Sequence, residues 1–337
     1  MIDTLELEDF GPLGTRPVCI IDTAESAAHV RAPAVRAAPL GIVIGVDRAG
    51  STPALDAAAF DVLLTTAADP PAPWVHVPAG RLEDRLGDMI RKAEAAPVAA
   101  SIALATLRIV EAVSVEAGLQ VESLAYSVLL GSDAFRRWRE AHPRANESVS
   151  PPAALDGAVA MTRDDDRVAI ELARPESRNA MNAEMRDALF GALAAQLDDP
   201  TRPGVEVSGR GACFSVGGDI DEFGSLTDAA LGHCIRTARS CALLLHRLGE
   251  RAHVVLHGAC IGSGIEIPAA AAHRIGRPGA FFQLPELGMG LMPGAGGTVT
   301  LTRRIGRHRT AYMFLTGRRI DAATALRWGL LSGMRTA

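Results

Sequence analysis

The stretch "HGACIGSGIEIPAA", residues 257–270, sets three small residues in an apolar run and places a carboxylate directly behind them. Its Gly262, Ser263 and Gly264 lie where a short strand gives way to a helix, and Glu266 follows within that helix. A buried glutamate costs free energy unless a partner neutralises it or a reaction uses it. The stretch therefore predicts a functional site at a strand–turn–helix junction.

Two further stretches repeat this design. "GRGACFSVGGDIDEF" (209–223) places a Gly-Gly pair between a strand and a helix, and "FFQLPELGMGLMPGAGGTVTLTRRIG" (281–306) places Glu286 before a glycine-rich turn that opens another helix. Glycine turns expose backbone N–H groups that can bind an oxyanion. Each signal alone is weak, since a Gly-Gly-Asp sequence is usually a plain turn. Together they offer N–H donors for one developing charge, and Glu266 and Glu286 as a paired acid and base.

The sequence around these stretches predicts strands, helices and the division of the chain. In "RVAIELARP" (167–175) apolar and other residues alternate as in a strand, and "NAMNAEMRDALFGALAAQLDDP" (179–200) has the apolar spacing of an amphipathic helix that Pro200 stops. Strands that alternate with helices predict an α/β fold. We predict an N-terminal segment over 1–145, a linker over 146–158, rich in Pro, Ser and Asn, and a core over 159–337.

The N-terminal segment contains four short apolar stretches and then a long helical region. The predicted strands lie in "PVCIID", "LGIVIGVD", "FDVLLTTA" and "WVHVP", and the helical region begins near Leu82 with a break near Pro97. No nucleotide-binding or metal-binding motif is found in this segment. Taken alone, it predicts no function.

Composition excludes several classes of protein. The net charge of −5, with 48% hydrophobic and 22% charged residues, describes a globular protein and argues against a nucleic-acid partner. No apolar run reaches the roughly 18 residues of a membrane span. The N-terminus has no apolar signal region, and the five cysteines show no framework spacing, so we expect a cytoplasmic protein with reduced thiols. The histidines show no metal-binding pattern, and no metal is expected.

Five motifs carry a resemblance to a known family. They are "RPESRNAMNAEM" (174–185), "ACFSVGGDI" (212–220), "HGACIGSGIEI" (257–267), "FFQLPELGMGLMPGAGGTVTLTRRIG" (281–306) and "LTGRRIDAATALRWGLL" (315–331). In this order and spacing the chain resembles the enoyl-CoA hydratase/isomerase family, the crotonases, over roughly residues 160–335. The resemblance implies a crotonase-like ββα superhelical spiral that acts on an acyl-CoA thioester.

The resemblance also implies roles for individual residues. Gly218 and Ser263 would present the two N–H groups of an oxyanion hole, Glu266 and Glu286 would be the catalytic carboxylates, and Gly294 would hold the reacting water through its N–H. The residues expected to line the coenzyme A site are Asn179, Ala180, Met181, Val216, Gly217, Asp219 and Ile220. No cofactor is expected, because coenzyme A is part of the substrate.

The expected reaction is hydration of a 2-enoyl-CoA, because both carboxylates are present. Two alternatives remain open: an enoyl-CoA isomerase, and a non-catalytic acyl-CoA-binding subunit. The second is suggested by Ser263, Ala272 and Thr300, which stand where the family usually has Gly, Asp and Arg. A homo-trimer or homo-hexamer is the assembly that the resemblance implies.

The N-terminal segment carries a second likeness. Its run "GLQVESLAYSVLLGSDAFRRWREAHP" (118–143) resembles the helices that follow the last motif in the family. We therefore hypothesise a permuted order, in which residues 82–143 pack where those helices normally sit, and a degenerate crotonase-like unit over residues 17–78. The alternative is an unrelated helical accessory domain.

Overall fold

The computed structural model describes residues 10–24, 40–144 and 157–335. The predicted linker, 146–158, therefore lies outside the described residues except for its last two. The strands are β1 (Val18–Asp22), β2 (Ile42–Asp47), β3 (Val62–Thr65), β4 (Val75–His76), β5 (Val159–Asp164), β6 (Arg167–Leu172), β7 (Gly204–Gly209), β8 (Ala252–Leu256), β9 (Ala259–Ile261), β10 (His273–Gly276), β11 (Phe281–Gln283), β12 (Ile320–Asp321) and β13 (Gly333–Met334).

Helices alternate with these strands. They are α1 (Leu82–Ala95), α2 (Pro97–Val110), α3 (Val115–Leu130), α4 (Asp133–Ala141), α5 (Ala183–Asp198), α6 (Ala229–Ala238), α7 (Cys241–Leu248), α8 (Ser263–Glu266), α9 (Gly297–Ile305), α10 (Arg307–Thr316) and α11 (Ala322–Trp328). The predicted α/β class is confirmed.

Strands β1 to β4 form one parallel sheet in chain order, and each lies within one of the four predicted apolar stretches. Every residue of β2 is buried, as expected for a central parallel strand covered on both faces. The helical region follows as predicted, and α1 and α2 are bent by 106° at the predicted break, where Pro97 is the first residue of α2.

The core contains two more sheets. One has six strands in the order β13-β10-β8-β7-β6-β5, parallel except for the β5–β6 pair, and the other has the order β12-β11-β9. Helix α5 buries Met185, Leu189 and Leu193, as its spacing predicts, and it ends before Pro200. The Asn182 side chain caps this helix by accepting a hydrogen bond from the N–H of Met185 at 2.9 Å.

The N-terminal helices pack directly on the core. One hydrophobic cluster runs without interruption from β2 to the residues after α11, on both sides of the predicted linker. Ser127 Oγ in α3 donates to the carbonyl of Ala229 at 3.0 Å, and Lys92 in α1 donates to the carbonyl of Thr316. The N-terminal segment is thus in position to supply side chains to a site in the core.

No single helix of the described residues is long and apolar enough to cross a membrane. Within the ranges that the structure describes, one bent pair of helices, 79–95 and 97–110, is long and apolar enough when the two are taken together, by length and composition alone.

Candidate active site

The three glycine-rich turns of the core meet around one cavity of about 610 Å³. Residues from all three line it, together with residues of α3 and α6. The predicted site residues among the lining are Met181, Val216, Gly217, Gly218, Asp219, Ile220, Ser263, Glu266, Glu286 and Gly294. The volume lies within the usual range for a small-molecule site.

Two turns meet at Gly217 and Gly262, and neither position could hold a side chain. Both have positive φ, +95° and +51°, and a β-carbon at Gly217 would lie 2.6 Å from the carbonyl oxygen of Ile261. The turn at Gly262 is held by its N–H, which donates to the Gln283 carbonyl at 2.9 Å. This close approach brings the following residues of the two turns, 218 and 263, to the wall of the same cavity.

The two predicted oxyanion donors are available. The residues on either side of Gly218 both bond to Met181: the Gly217 carbonyl accepts from the Met181 N–H, and the Asp219 N–H donates to the Met181 carbonyl. The N–H of Gly218, which lies between them, therefore points away from Met181. Ser263 is the first residue of α8, where an N–H has no partner within the helix. Among the described residues, neither N–H has a protein acceptor.

Serine is compatible with the backbone at position 263. The positive φ of this turn falls on Gly262, so Ser263 adopts an ordinary conformation, although the family that the chain resembles usually has glycine there. The Ser263 hydroxyl is buried and has no hydrogen-bond partner in the part of the chain that the structure describes. The substitution therefore leaves the backbone donor in place and adds a polar group to the cavity wall.

Glu266 is buried, with 3% of its surface exposed, and two N–H groups of the 294–298 turn hold its carboxylate. Its Oε2 accepts hydrogen bonds from Ala295 at 2.8 Å and from Gly297 at 3.0 Å. Thr300, which replaces the family's usual arginine, donates its hydroxyl to the main-chain carbonyl of Glu266 at 2.7 Å. The sequence predicts a free-energy cost for burying Glu266. Backbone N–H donors at the start of α9 offset that cost.

Glu286, which lies in the third glycine-rich stretch, also comes close to Gly262. A β-carbon at Gly262 would lie 3.0 Å from Glu286 Oε1 and 3.8 Å from Glu266 Oε1, so both carboxylates flank this glycine. The Oε2 of Glu286 is buried, and no described residue bonds to it. Two N–H groups of the 294–298 turn therefore hold the Glu266 carboxylate, whereas Oε2 of Glu286 has no hydrogen-bond partner among the described residues.

This difference gives the two carboxyl groups different pKa values. Burial raises the pKa of Glu266 to about 7, and its backbone hydrogen bonds oppose that rise. Burial and the nearby charge of Glu266 raise the pKa of Glu286 well above its ordinary value. Near neutral pH, Glu266 can therefore be ionised while Glu286 keeps its proton.

Gly294 lies against a side chain from the N-terminal segment. A β-carbon there would lie 2.4 Å from Cδ2 of Tyr126, which belongs to α3. The N–H of Gly294 also lowers the pKa of Glu266, so in the free protein it faces that carboxylate. It is in position to act on a group bound beside Glu266, as the resemblance implies.

Two of the residues expected at the coenzyme A site do not reach the cavity. Asn179 is fully buried, and its amide donates to the carbonyls of Arg210, Cys213 and Phe214 at 2.9–3.2 Å. Its own oxygen accepts from the N–H of Arg174 at 3.0 Å. Asn179 therefore fixes the loop, and neither it nor Ala180 lines the cavity, whereas the next residue, Met181, does.

Sequence reasoning missed a third carboxylate, Glu122 of α3. It is 1% exposed, and burial together with the charge of Glu266 raises its pKa to about 8. A signal was present, because Glu122 lies at helical spacing between Leu119 and Tyr126, on a stripe that is otherwise apolar or aromatic. A lone glutamate on such a stripe indicates a buried partner, but local sequence does not say which.

Among the described residues no group of three or more His, Cys, Asp or Glu side chains could hold a metal ion. Ala272, where the family usually has Asp, is partly exposed beside the Arg274 guanidinium, which donates to its carbonyl at 2.7 Å. Arg274 also bonds the carbonyl of Ala271, so backbone acceptors surround this cation.

Comparison with known proteins gives consistent matches. A family model described as enoyl-CoA hydratase/isomerase matches residues 165–335, about half of the chain. "Probable enoyl-CoA hydratase 2, mitochondrial" of Arabidopsis thaliana is 32% identical over 171 residues, which cover 50% of this chain and 57% of that protein. "Probable enoyl-CoA hydratase echA8" of Mycobacterium tuberculosis is 35% identical over 171 residues, or 50% and 65% of the two chains.

A solved structure is similar over about half of this chain. The crystal structure of enoyl-CoA hydratase from Thermoplasma volcanium GSS1 is 30% identical, with a TM-score of 0.48, over 53% of this chain and 72% of that one. The chain covers less than two thirds of the length of both curated relatives.

Proposed function

Because this chain belongs to the enoyl-CoA hydratase/isomerase family, as its five motifs predict, we propose that it adds water to the double bond of a 2-enoyl-CoA thioester. Membership also confirms the predicted crotonase-like fold over the matched residues. One observation carries the proposal: two buried carboxylates flank Gly262 in the cavity whose wall also includes two backbone N–H groups without protein acceptors among the described residues.

The N–H groups would act on the thioester. When water attacks C3 of the conjugated system, negative charge develops on the thioester oxygen. The N–H groups of Gly218 and Ser263 would bind that oxygen, and removing one such donor typically costs about 2.7–4 kcal/mol in the transition state. Because both donors belong to the main chain, their position is fixed before the substrate binds.

The carboxylates would divide the proton transfers. Glu266, which backbone donors hold in its ionised form, would take a proton from the attacking water. Glu286, which stays protonated near neutral pH, would deliver its proton to C2. The N–H of Gly294 would help to hold the water. Proton balance is complete, since one carboxyl gains the proton that the other gives up.

The substrate would lie along the cavity. Met181 and the residues from Val216 to Ile220 would line the coenzyme A portion, with Asn179 and Ala180 supporting that loop from behind. No separate cofactor is required, because the thioester itself supplies the electron sink. A cytoplasmic location, expected from the N-terminus and the cysteines, and assembly as a homo-trimer or homo-hexamer, implied by the family resemblance, form part of the proposal.

Crotonyl-CoA tests the reaction, because hydration abolishes the ultraviolet absorbance of its conjugated double bond. We expect turnover by the full chain, and a loss of about 100- to 10,000-fold in Glu286→Gln and in Glu266→Gln. The matched control is Glu94→Gln, which makes the same change at an exposed residue of α1.

Other outcomes would point to the alternatives. A shifted double bond without addition of water, seen by mass spectrometry, would indicate an isomerase. Tight binding of several enoyl-CoA esters, with no turnover of any of them, would refute the enzyme and indicate a binding subunit.

A further inference from the structure

The 294–298 turn divides its N–H groups between two buried carboxylates. Glu122 Oε1 accepts from the N–H of Gly296 at 2.6 Å, and its Oε2 accepts from the N–H of Thr298 at 2.7 Å. The Thr298 hydroxyl donates to the same oxygen at 2.6 Å. The N–H groups of Ala295 and Gly297, which alternate with these two along the chain, bind Glu266, so successive residues of the turn point to opposite carboxylates.

We propose that Glu122 is a positioning residue of the active site, which holds the 294–298 turn in the arrangement that directs its remaining N–H groups at Glu266. Neither carboxylate can be moved without disturbing the other, since both bind consecutive residues of one short segment. The role in turnover rests on the proposed hydration reaction, whereas the role in holding the turn stands on the hydrogen bonds themselves.

Packing around Glu122 supports a fixed arrangement. Gly296 has a φ of +112°, and a β-carbon there would lie 3.2 Å from Leu119, one turn before Glu122 on α3. One turn further along, the ring of Tyr126 packs against Gly294. Helix α3 thus covers the turn with three consecutive layers of side chains, of which the central one supplies the hydrogen bonds.

The charge of Glu122 acts on the second catalytic carboxylate as well. The titratable and charged groups around it are Tyr126 on its own helix, Arg236 and His233 on α6, Glu266 on α8, and Glu286 after β11. The negative charge of Glu122 contributes to the raised pKa of Glu286. Because the pKa of Glu122 is about 8, it carries this charge above that pH, and there it helps to keep Glu286 protonated, as a proton donor must be.

The rate–pH profile separates this role from a merely structural one. In Glu122→Gln we expect kcat for crotonyl-CoA to fall by about 10- to 100-fold, because the turn shifts, with little change in KM. We also expect the alkaline limb of the profile to move to lower pH, because Glu286 loses a negative neighbour. Glu122→Asp keeps the charge on a shorter side chain, so it should lose kcat but retain the alkaline limb.

Hydrogen–deuterium exchange tests the turn without any need for turnover. Exchange of the peptide spanning 294–298 should be faster in Glu122→Gln than in the wild type and unchanged in the control Glu94→Gln. Unchanged exchange in Glu122→Gln would overturn the proposal, as would an unmoved alkaline limb in an active variant. If the wild type hydrates no enoyl-CoA, the proposed function fails, and the exchange result alone decides whether Glu122 holds the turn.

Discussion

Gly294→Ala probes the contact between the N-terminal segment and the active site. The added methyl carbon would lie 2.4 Å from Cδ2, 2.6 Å from Cε2 and 2.8 Å from Cγ of Tyr126. Carbon atoms normally pack at about 3.5–4.0 Å, so the ring or the turn must move by about 1 Å. The ring cannot retreat freely, because the Arg236 guanidinium lies 5.0 Å from its centroid.

The size of the effect follows from that collision. Overpacking of this kind costs about 1–3 kcal/mol, so we expect the free energy of unfolding to fall by that amount. The φ of Gly294 is not positive, so the backbone itself should tolerate alanine. In a Tyr126→Ala background the collision is absent, and Gly294→Ala should then cost almost nothing.

Urea denaturation of the wild type, both single variants and the double variant measures this coupling. Gly191→Ala in α5 is the matched control, because no atom lies within 4 Å of the position its methyl group would take and the residue is exposed. It should stabilise the protein by about 0.5–1 kcal/mol. Equal destabilisation by Gly294→Ala in both backgrounds would refute the reasoning, since the cost would then arise in the turn and not from the ring.

Two further predictions follow from the site. Because Glu266 must be ionised and Glu286 protonated, kcat/KM for crotonyl-CoA should rise as pH increases through about 7 and fall again at higher pH; a flat profile over this range would contradict the division of roles. Asn179→Ala should lower the free energy of unfolding by at least about 2 kcal/mol in urea denaturation, because three carbonyls lose a buried donor; an unchanged urea midpoint would contradict the buried, structural role of Asn179.

The elements were predictable where the pattern was local. The alternation in β6, the apolar spacing of α5 and the break at Pro97 each depend on residues within one element, and the structure has all three. The pairing of β9 with β11, and the separation of these strands from the six-stranded sheet, depend on contacts between distant residues. Periodicity within one strand carries no information about which strand lies beside it.

The candidate site was predictable to the same extent. Motif order led to Glu266 and Glu286, and the structure brings both to Gly262. Asn179 belongs to a motif as well, yet its side chain turns inward, because three carbonyls of a neighbouring loop need a donor. A motif identifies the residues of a site without separating those that contact a ligand from those that support the loop.

The glycine-rich turn shows why the remaining information is not local. Read alone, "PGAGG" at 293–297 is a turn that exposes N–H groups, and any of its glycines could serve that purpose. In the structure Gly294 is small because Tyr126 packs on it, and at Gly296 the positive φ, the Ala242 Cβ at 2.9 Å and Leu119 at 3.2 Å together exclude a side chain. Tyr126 and Leu119 lie far upstream in the chain, on a helix that precedes the predicted linker. The conformation of the turn therefore depends on α3, and a substitution in either element should alter the hydrogen bonds that hold Glu266.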